Sequence, residues 1–231
     1  DDLQISRDET YTDYLNRYDV IYLDMTGVIG EAGGTDIVSY IKRNVAGELK
    51  EWYPELKVSE GFMATLVNAA KLTGKRFIMI IDEWDAPIRE NTGHPGRQRE
   101  YLEFLRSLFK NSAATAKVFA AAYMTGILPV KKYGAHSALN MFLEYSMTDQ
   151  RMLEEYTGFT EEEVRELCAR YDMDFEEASN WYDGYQFRKY RHIYNPKSVV
   201  EAMLSRIFSN YWTSTETYDA LKIYMDMDYD G

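Results

Sequence analysis

Four residues at the end of an apolar run are the best placed in this chain to do chemistry. Phe77-Ile78-Met79-Ile80-Ile81 runs without a break into Asp82-Glu83-Trp84-Asp85. Such a run, bounded by turn signals, suits a parallel strand covered on both faces. A carboxylate at the carboxyl end of that strand faces the crevice where α/β sheets bind ligands. Mg²⁺ prefers a few carboxylates completed by water and phosphate oxygens, so Asp82 suits a metal role, through a bound water. Glu83 points differently and can take a proton from water attacking a γ-phosphate. Thr125, followed by Gly126 after another apolar stretch, offers a hydroxyl that could sense that phosphate or position the water. The plainer alternatives are a turn capped by Asp82, a solvated Glu83 and a Thr-Gly turn.

The phosphate-binding half of such a site is missing from the sequence. A P-loop needs G-x-x-x-x-G-K-[ST], whose backbone N–H groups and lysine cradle phosphates. Gly74-Lys75 is the only Gly-Lys pair, with Ala69 and Arg76 where glycine and a hydroxyl residue are required. It also precedes a strand instead of following one. Gly27-x-x-Gly30-x-x-Gly33 follows a strand but departs from the dinucleotide fingerprint, and reads as a flexible loop. Other chemistries are weaker. His94, His136 and His192 are scattered without metal-ligand spacing. Cys168 has no base partner, and G-x-S-x-G is absent. Asp82, Glu83 and Asp85 could form a Mg²⁺ nuclease cluster, but Asp85 is followed by Ala86-Pro87 and not by a lysine one residue on.

These residues need elements to hold them. Tyr18–Met25 is β-branched and aromatic and reads as a buried strand. Thr35 or Asp36 can cap a helix reaching about Trp52, and Ser59–Thr73 reads as another, stopped by Gly74. Lys75–Asp82 is the second strand, and the segment 91–96 a loop. Gln98–Asn111 has helical spacing, and Lys117–Met124 is the third strand. Strands separated by helix-length stretches describe an α/β layer with a parallel sheet. After Pro129 the pattern turns helical: Thr148–Tyr156, Thr160–Tyr171, Asp174–Tyr182 and Pro196–Ser209, with a hairpin or irregular connector over Gly184–Tyr194. Thr160 and Glu163 form a capping box. The boundary falls near residue 133, giving an α/β core over 1–133 and a mainly helical subdomain over 134–231.

Composition excludes some roles. The 231 residues carry a formal net charge of −12, which argues against a broad basic face for nucleic acid while leaving room for a local basic patch. No nucleic-acid partner is expected of this segment. One cysteine, Cys168, forms no internal disulfide and fits a reducing, cytoplasmic compartment as a small apolar helix residue. No run of about 18 apolar residues exists, so no membrane helix is expected. The polar opening Asp1-Asp2-Leu3-Gln4 resembles no signal peptide and has no initiator Met, so the chain reads as an internal piece of a longer one.

The sequence resembles the bacterial AAA-ATPase-like proteins, whose P-loop ATPase domain is commonly followed by a PD-(D/E)XK-type nuclease domain. The matching stretches are VIYLDM at 20–25, FIMIIDEWDAPI at 77–88 and YMTGILPVKK at 123–132. GFTEEEV at 158–164, NWYDGYQF at 180–187, YNPKSVV at 194–200 and NYWTST at 210–215 follow in order. The resemblance implies a P-loop strand upstream of Asp1 and a nuclease-type domain downstream of Gly231. It makes Asp82 the Mg²⁺-associated Walker B acid, Glu83 the catalytic base and Thr125 the sensor. An arginine of this chain or of a neighbouring subunit in a homo-oligomer would complete the site. For Tyr182-Asp183-Gly184-Tyr185 and Tyr194-Asn195-Pro196 it implies no role; Asn195-Pro196 reads as a strand end opening a helix.

The expected fold is thus α/β: a partial P-loop NTPase-type parallel sheet flanked by helices, then a small helical subdomain. The expected function is Mg²⁺-dependent ATP hydrolysis by the full-length protein, with the present segment inactive alone and needing neither cofactor itself. The alternatives are a non-catalytic interaction module, using surface aromatics such as Trp52, Trp84, Trp181 and Trp212, and a metal-dependent nuclease.

Overall fold

A computed structural model describes residues 3–91, 93–110, 112–130, 139, 141–147 and 149–211. The chain divides into two compact units, residues 1–143 and 144–231.

In the first unit a short helix α1 (Tyr11–Tyr14) precedes strand β1 (Asp19–Asp24). Helix α2 (Met25–Ala32) starts immediately, where a glycine loop is expected. The reason lies in Asp24, whose carboxylate accepts the N–H groups of Thr26 and Gly27 and so opens a helix directly off the strand. Gly33, at φ 56°, ends it in the left-handed conformation that glycine adopts without a Cβ penalty. Asp36 caps α3 (Ile37–Trp52) through the N–H groups of Val38 and Ser39. Helix α4 (Phe62–Thr73) ends at Gly74, at φ 68°.

Strand β2 (Phe77–Asp82) follows, then α5 (Ala86–Arg89), α6 (Pro95–Phe109), α7 (Ser112–Val118) and strand β3 (Phe119–Met124). Residues 117 and 118, expected in the third strand, belong to α7. The strands form a parallel sheet in the order β1-β2-β3, and Asp24 stands beside Asp82 at the carboxyl end. An α/β unit with a three-stranded parallel sheet flanked by helices is therefore present.

The sheet is not covered equally on its two faces. Ile21, Leu23, Phe77, Met79 and Ile81 are buried, and α6 reaches that side where Phe109 packs on Phe119 with centroids 5.7 Å apart. On the other face Val20, Tyr22 and Tyr123 are exposed and Ile78 and Ile80 only half-buried. The expectation of a strand covered on both faces holds for one face among the described residues.

The second unit begins with a 3₁₀ turn (Arg151–Tyr156) where a helix from Thr148 is expected; Thr148 lies outside the described residues. Strand β4 (Phe159–Thr160) leads into α8 (Glu161–Tyr171), capped by Thr160 and Glu163 in the expected box. Helix α9 (Phe175–Tyr182), strands β5 (Asp183–Tyr185) and β6 (Ile193–Tyr194), and α10 (Pro196–Ser205) follow. The β5–β6 pair is the expected hairpin. The third strand, β4, is not anticipated, and gives an antiparallel sheet in the order β4-β6-β5. The core gathers Val164, Cys168, Ala178, Tyr182, Tyr194, Val199, Ala202 and Met203. Asn195 caps α10 through the Ser198 N–H, with Pro196 in the first turn. Trp212 and all that follows it lie outside the described residues, as do Asn111, Lys131, Lys132 and His136.

Candidate active site

Asp82 ends β2, and two hydroxyls converge on its carboxylate. Thr125, just beyond β3, donates its hydroxyl to Oδ1, and the Tyr22 hydroxyl reaches Oδ2 at 3.1 Å. The parallel register delivers both partners. Tyr22 stands beside Ile80, two residues before Asp82 and on the same face, while Thr125 leaves β3 next to the end of β2. The Thr125 bond above all, then the Tyr22 bond and the Glu83 N–H, hold the Asp82 carboxyl below its ordinary range. Asp82 is thus a carboxylate at neutral pH, half-exposed at the sheet's carboxyl edge.

The chain then turns sharply. Glu83 has φ 51°, a left-handed backbone that a residue with a Cβ seldom adopts. Thr125 stabilises this turn from across the sheet. Its N–H donates to the Ile81 carbonyl at 3.0 Å, its carbonyl accepts from Trp84 N–H at 2.8 Å, and its hydroxyl accepts from Glu83 N–H at 3.3 Å. Thr125 therefore joins both acids, which gives structural content to a residue that the sequence marks only as a hydroxyl before glycine.

Two residues absent from the expected site complete it. Arg89, at the end of α5, donates to Glu83 Oε2 from Nη2 at 2.6 Å and to Asp85 Oδ2 from Nε at 3.1 Å. Asp85 is fully buried, and its carboxylate also accepts the N–H groups of Ile127 at 3.4 Å and Leu128 at 2.9 Å. It is thus a structural anchor that ties the loop after β3 to the turn after β2. It is not part of an open acidic cluster. The spacing of Asp85 and Arg89, one helical turn apart, is the sequence signal that could have found this pair.

Gly126 is required here on steric grounds. A Cβ at that position would lie 2.5 Å from Asp85 Oδ1 and 2.6 Å from Trp84 Cδ1. Trp84 is buried, with its carbonyl taking the Tyr101 hydroxyl at 2.8 Å, so it is core and not the surface aromatic expected. Burial foremost, with the Asp85 charge, pushes the Tyr101 hydroxyl well above its ordinary range, so it stays a neutral donor. Trp52 and Trp181 are exposed.

The oxygen donors at Asp82 and Thr125 suit a hard cation that also takes phosphate and water oxygens. Among the described residues no group of three or more His, Cys, Asp or Glu side chains could hold a metal ion. A cation at Asp82 would thus need phosphate or water oxygens to complete its shell.

Comparison with known proteins bears on the family of the chain. A family model described as AAA-ATPase-like, predicted AAA-ATPase, matches residues 1–136. A protein of Azotobacter chroococcum mcd 1, described as an uncharacterized protein in the vnfD 5′ region, is 31% identical over 149 residues, which cover 62% of this chain and 28% of that protein. The chain thus spans well under a third of that relative's length. No solved structure matches it.

Proposed function

The chain belongs to the predicted AAA-ATPase family, and from that premise we propose that it supplies the acidic half of an ATP-hydrolysing site in a longer polypeptide. The observation that carries this reading is the convergence of Asp82, Glu83 and Thr125 at the carboxyl edge of the parallel sheet. In the proposed site Asp82 would hold Mg²⁺, which would neutralise charge on the transferring phosphoryl group, and Thr125 would read the γ-phosphate. Glu83 accepts the proton of the attacking water. Thr125 fixes Asp82 and the Glu83 backbone at once, so a change at the phosphate is transmitted to both acids. The fold on this reading is a P-loop NTPase sheet, whose phosphate cradle is supplied by residues other than these, since no G-x-x-x-x-G-K-[ST] occurs in the sequence.

The Glu83–Arg89 pair adds one feature to this reading. With Arg89 at 2.6 Å from Oε2, the Glu83 carboxylate faces a cation that lowers its basicity, so release of that partner would make it the better base. The arrangement is a resting one that nucleotide binding would open. A second reading, an interaction module of nucleotide-binding fold without turnover, is favoured by the exposed Val20, Tyr22, Tyr123 and Trp52. A nuclease-type domain in the same polypeptide and a homo-oligomeric assembly remain part of the proposal for the whole protein.

The test is made on the full-length protein. Glu83→Gln is expected to retain Mg²⁺–ATP binding and lose turnover, and Asp82→Asn to weaken Mg²⁺-dependent binding. Unchanged turnover in Glu83→Gln removes Glu83 from its role; absence of any ATPase activity in the wild type favours the interaction module. Residues 1–231 alone are expected to bind ATP weakly, and tight binding by calorimetry would contradict the division of the site.

A further inference from the structure

The unit of residues 144–231 carries an exposed run of basic side chains that the acidic site does not use, and we propose that it binds single-stranded nucleic acid. Arg188, Lys189, Arg191 and His192 occupy four of five consecutive positions at and after the tip of the β5–β6 hairpin, and all four are exposed. This density is local, in a chain whose net charge is −12. Charges farther away than about 10 Å are largely screened at 0.1 M salt, so the overall acidity does not cancel a compact basic patch. His192 is engaged by Asp183 at 2.6 Å and Lys189 lies over the Tyr190 ring near the Glu155 charge, while among the described residues no carboxylate lies within ion-pair distance of Arg188 or Arg191.

The hairpin tip is fixed in place. Phe187 N–H donates to the Tyr190 carbonyl at 2.8 Å and closes the turn. Glu154, buried behind it, accepts the N–H groups of Lys189 at 2.7 Å and Tyr190 at 3.2 Å, and the Tyr190 hydroxyl donates to Glu155 at 2.6 Å. Glu154 and Glu155 thus hold the tip while keeping their charges, and Asp149 engages Arg151 at 3.5 Å.

A cleft of about 690 Å³ adjoins the tip, lined by Arg151, Gln150, Gln186, Phe187 and Arg188 together with the acids Asp149 and Glu154. That volume lies within the range of small-ligand sites, about 300–1,000 Å³, and admits nucleotide units. The Phe187 ring lies nearly parallel to that of Tyr185, at 10° with centroids 6.2 Å apart, and gives the cleft an aromatic wall. The exposed Arg188 for a phosphate, the exposed Gln186 amide for a base edge and the Phe187 ring for a base face are elements of single-strand recognition. An acidic polypeptide would use the charges but leave the ring without a role.

The experiment is fluorescence anisotropy with a labelled oligothymidylate, from about 0.05 to 0.2 M salt, where affinity for single strands falls with log salt by about 0.7 per phosphate engaged. Wild type is expected to bind with a slope of about −2 to −3, from three to four phosphates. The combined Arg188→Gln, Lys189→Gln, Arg191→Gln variant alters only exposed side chains; it is expected to bind about tenfold or more weakly and to flatten the slope by about 2. Phe187→Leu keeps the apolar bulk and is expected to weaken binding roughly fivefold with the slope unchanged. No binding at the lowest salt, full affinity in the triple variant, no effect of Phe187→Leu, or equal competition by polyglutamate would each overturn the proposal. Circular dichroism of each variant checks that the fold is kept. The assay needs no ATP and is independent of the hydrolytic reading.

Discussion

The Arg89 guanidinium closes on the Glu83 carboxylate at 2.6 Å while its other edge holds the buried Asp85 at 3.1 Å. One side chain therefore couples a proposed reactive acid to a structural one. Arg89→Met keeps the apolar stem and removes both contacts. Hydrogen bonds to charged groups contribute about 1.5–3 kcal/mol, and the exposure of Glu83 lowers its share. A loss of about 2 kcal/mol is expected, read as a fall of about 4–8 °C in the melting temperature of the α/β unit. In the full-length protein the same variant is expected to raise ATPase activity measured without any partner, because Arg89 no longer pairs with Glu83. An unchanged melting temperature would mean that the pair is not formed in solution.

Asp85 makes a sharper test of the architecture. Asp85→Ala leaves the Ile127 and Leu128 N–H groups and the Arg89 guanidinium without their acceptor in a buried position. Losing one partner of a buried, hydrogen-bonded charge costs about 3–5 kcal/mol. Asp85→Asn keeps the volume and one acceptor and should cost less. Urea unfolding of both variants, expected in that order, checks the assignment; a mild Asp85→Ala would return Asp85 to the solvated acids.

What the sequence revealed, and what it left hidden, follows from the range of each interaction. The strands at 19–24 and 77–82 are legible because apolar runs report burial directly, and Thr160 with Glu163 because a capping box is contained in four residues. The acid pair at 82–83 is legible as a strand end. The glycines at 27 and 30 mislead, because Asp24 caps a helix across them and a single carboxylate outweighs their low propensity. The Arg89 contact with Glu83, the Tyr22 bond and the Gly126 contact stay hidden because they depend on the parallel register and on a turn at φ 51°, neither of which a linear pattern reports. Trp84 looks like surface in a polar stretch and becomes core because that same turn swings it inward.

Gly126→Ala tests that packing. The added Cβ would sit 2.6 Å from the Trp84 ring and 2.5 Å from Asp85 Oδ1, so the β3 loop has to move. Overpacking of this kind costs about 1–3 kcal/mol. A shift in the emission of the buried Trp84 indole is expected alongside the lost stability. A variant as stable as wild type, with unaltered emission, would show that the loop sits farther from Trp84.

The Thr125–Asp82 bond makes a pH prediction. The Asp82 carboxyl is held below its unfolded value by the Thr125 hydroxyl first and by Tyr22 second. A carboxyl depressed in the folded state adds stability that is fully present above the unfolded pKa, about 3.9, and is lost as pH falls through the lower folded value. Thr125→Val keeps the shape and removes the donor, so the Asp82 midpoint should rise toward the ordinary range in a carboxyl NMR titration. Stability near pH 7 should fall by about 1 kcal/mol, while the loss below pH 4 becomes shallower than in wild type.

His192 gives the opposite sign. Its hydrogen bond to Asp183 at 2.6 Å, with the Asp183 charge, raises the imidazole above its ordinary value. A group raised in the folded state adds stability below its unfolded pKa, about 6.5, and loses it as pH climbs through the higher folded value. Both side chains are partly exposed, so the effect on global stability is small and the titration is the proper readout. The His192 ring protons should titrate above about 6.5 in wild type, and Asp183→Asn should bring the midpoint down. Because protonated His192 adds a positive charge beside Arg191, the oligothymidylate affinity of wild type should rise as pH is lowered through that midpoint, and this rise should shift to lower pH in Asp183→Asn. A midpoint unmoved by the substitution would remove Asp183 as its cause.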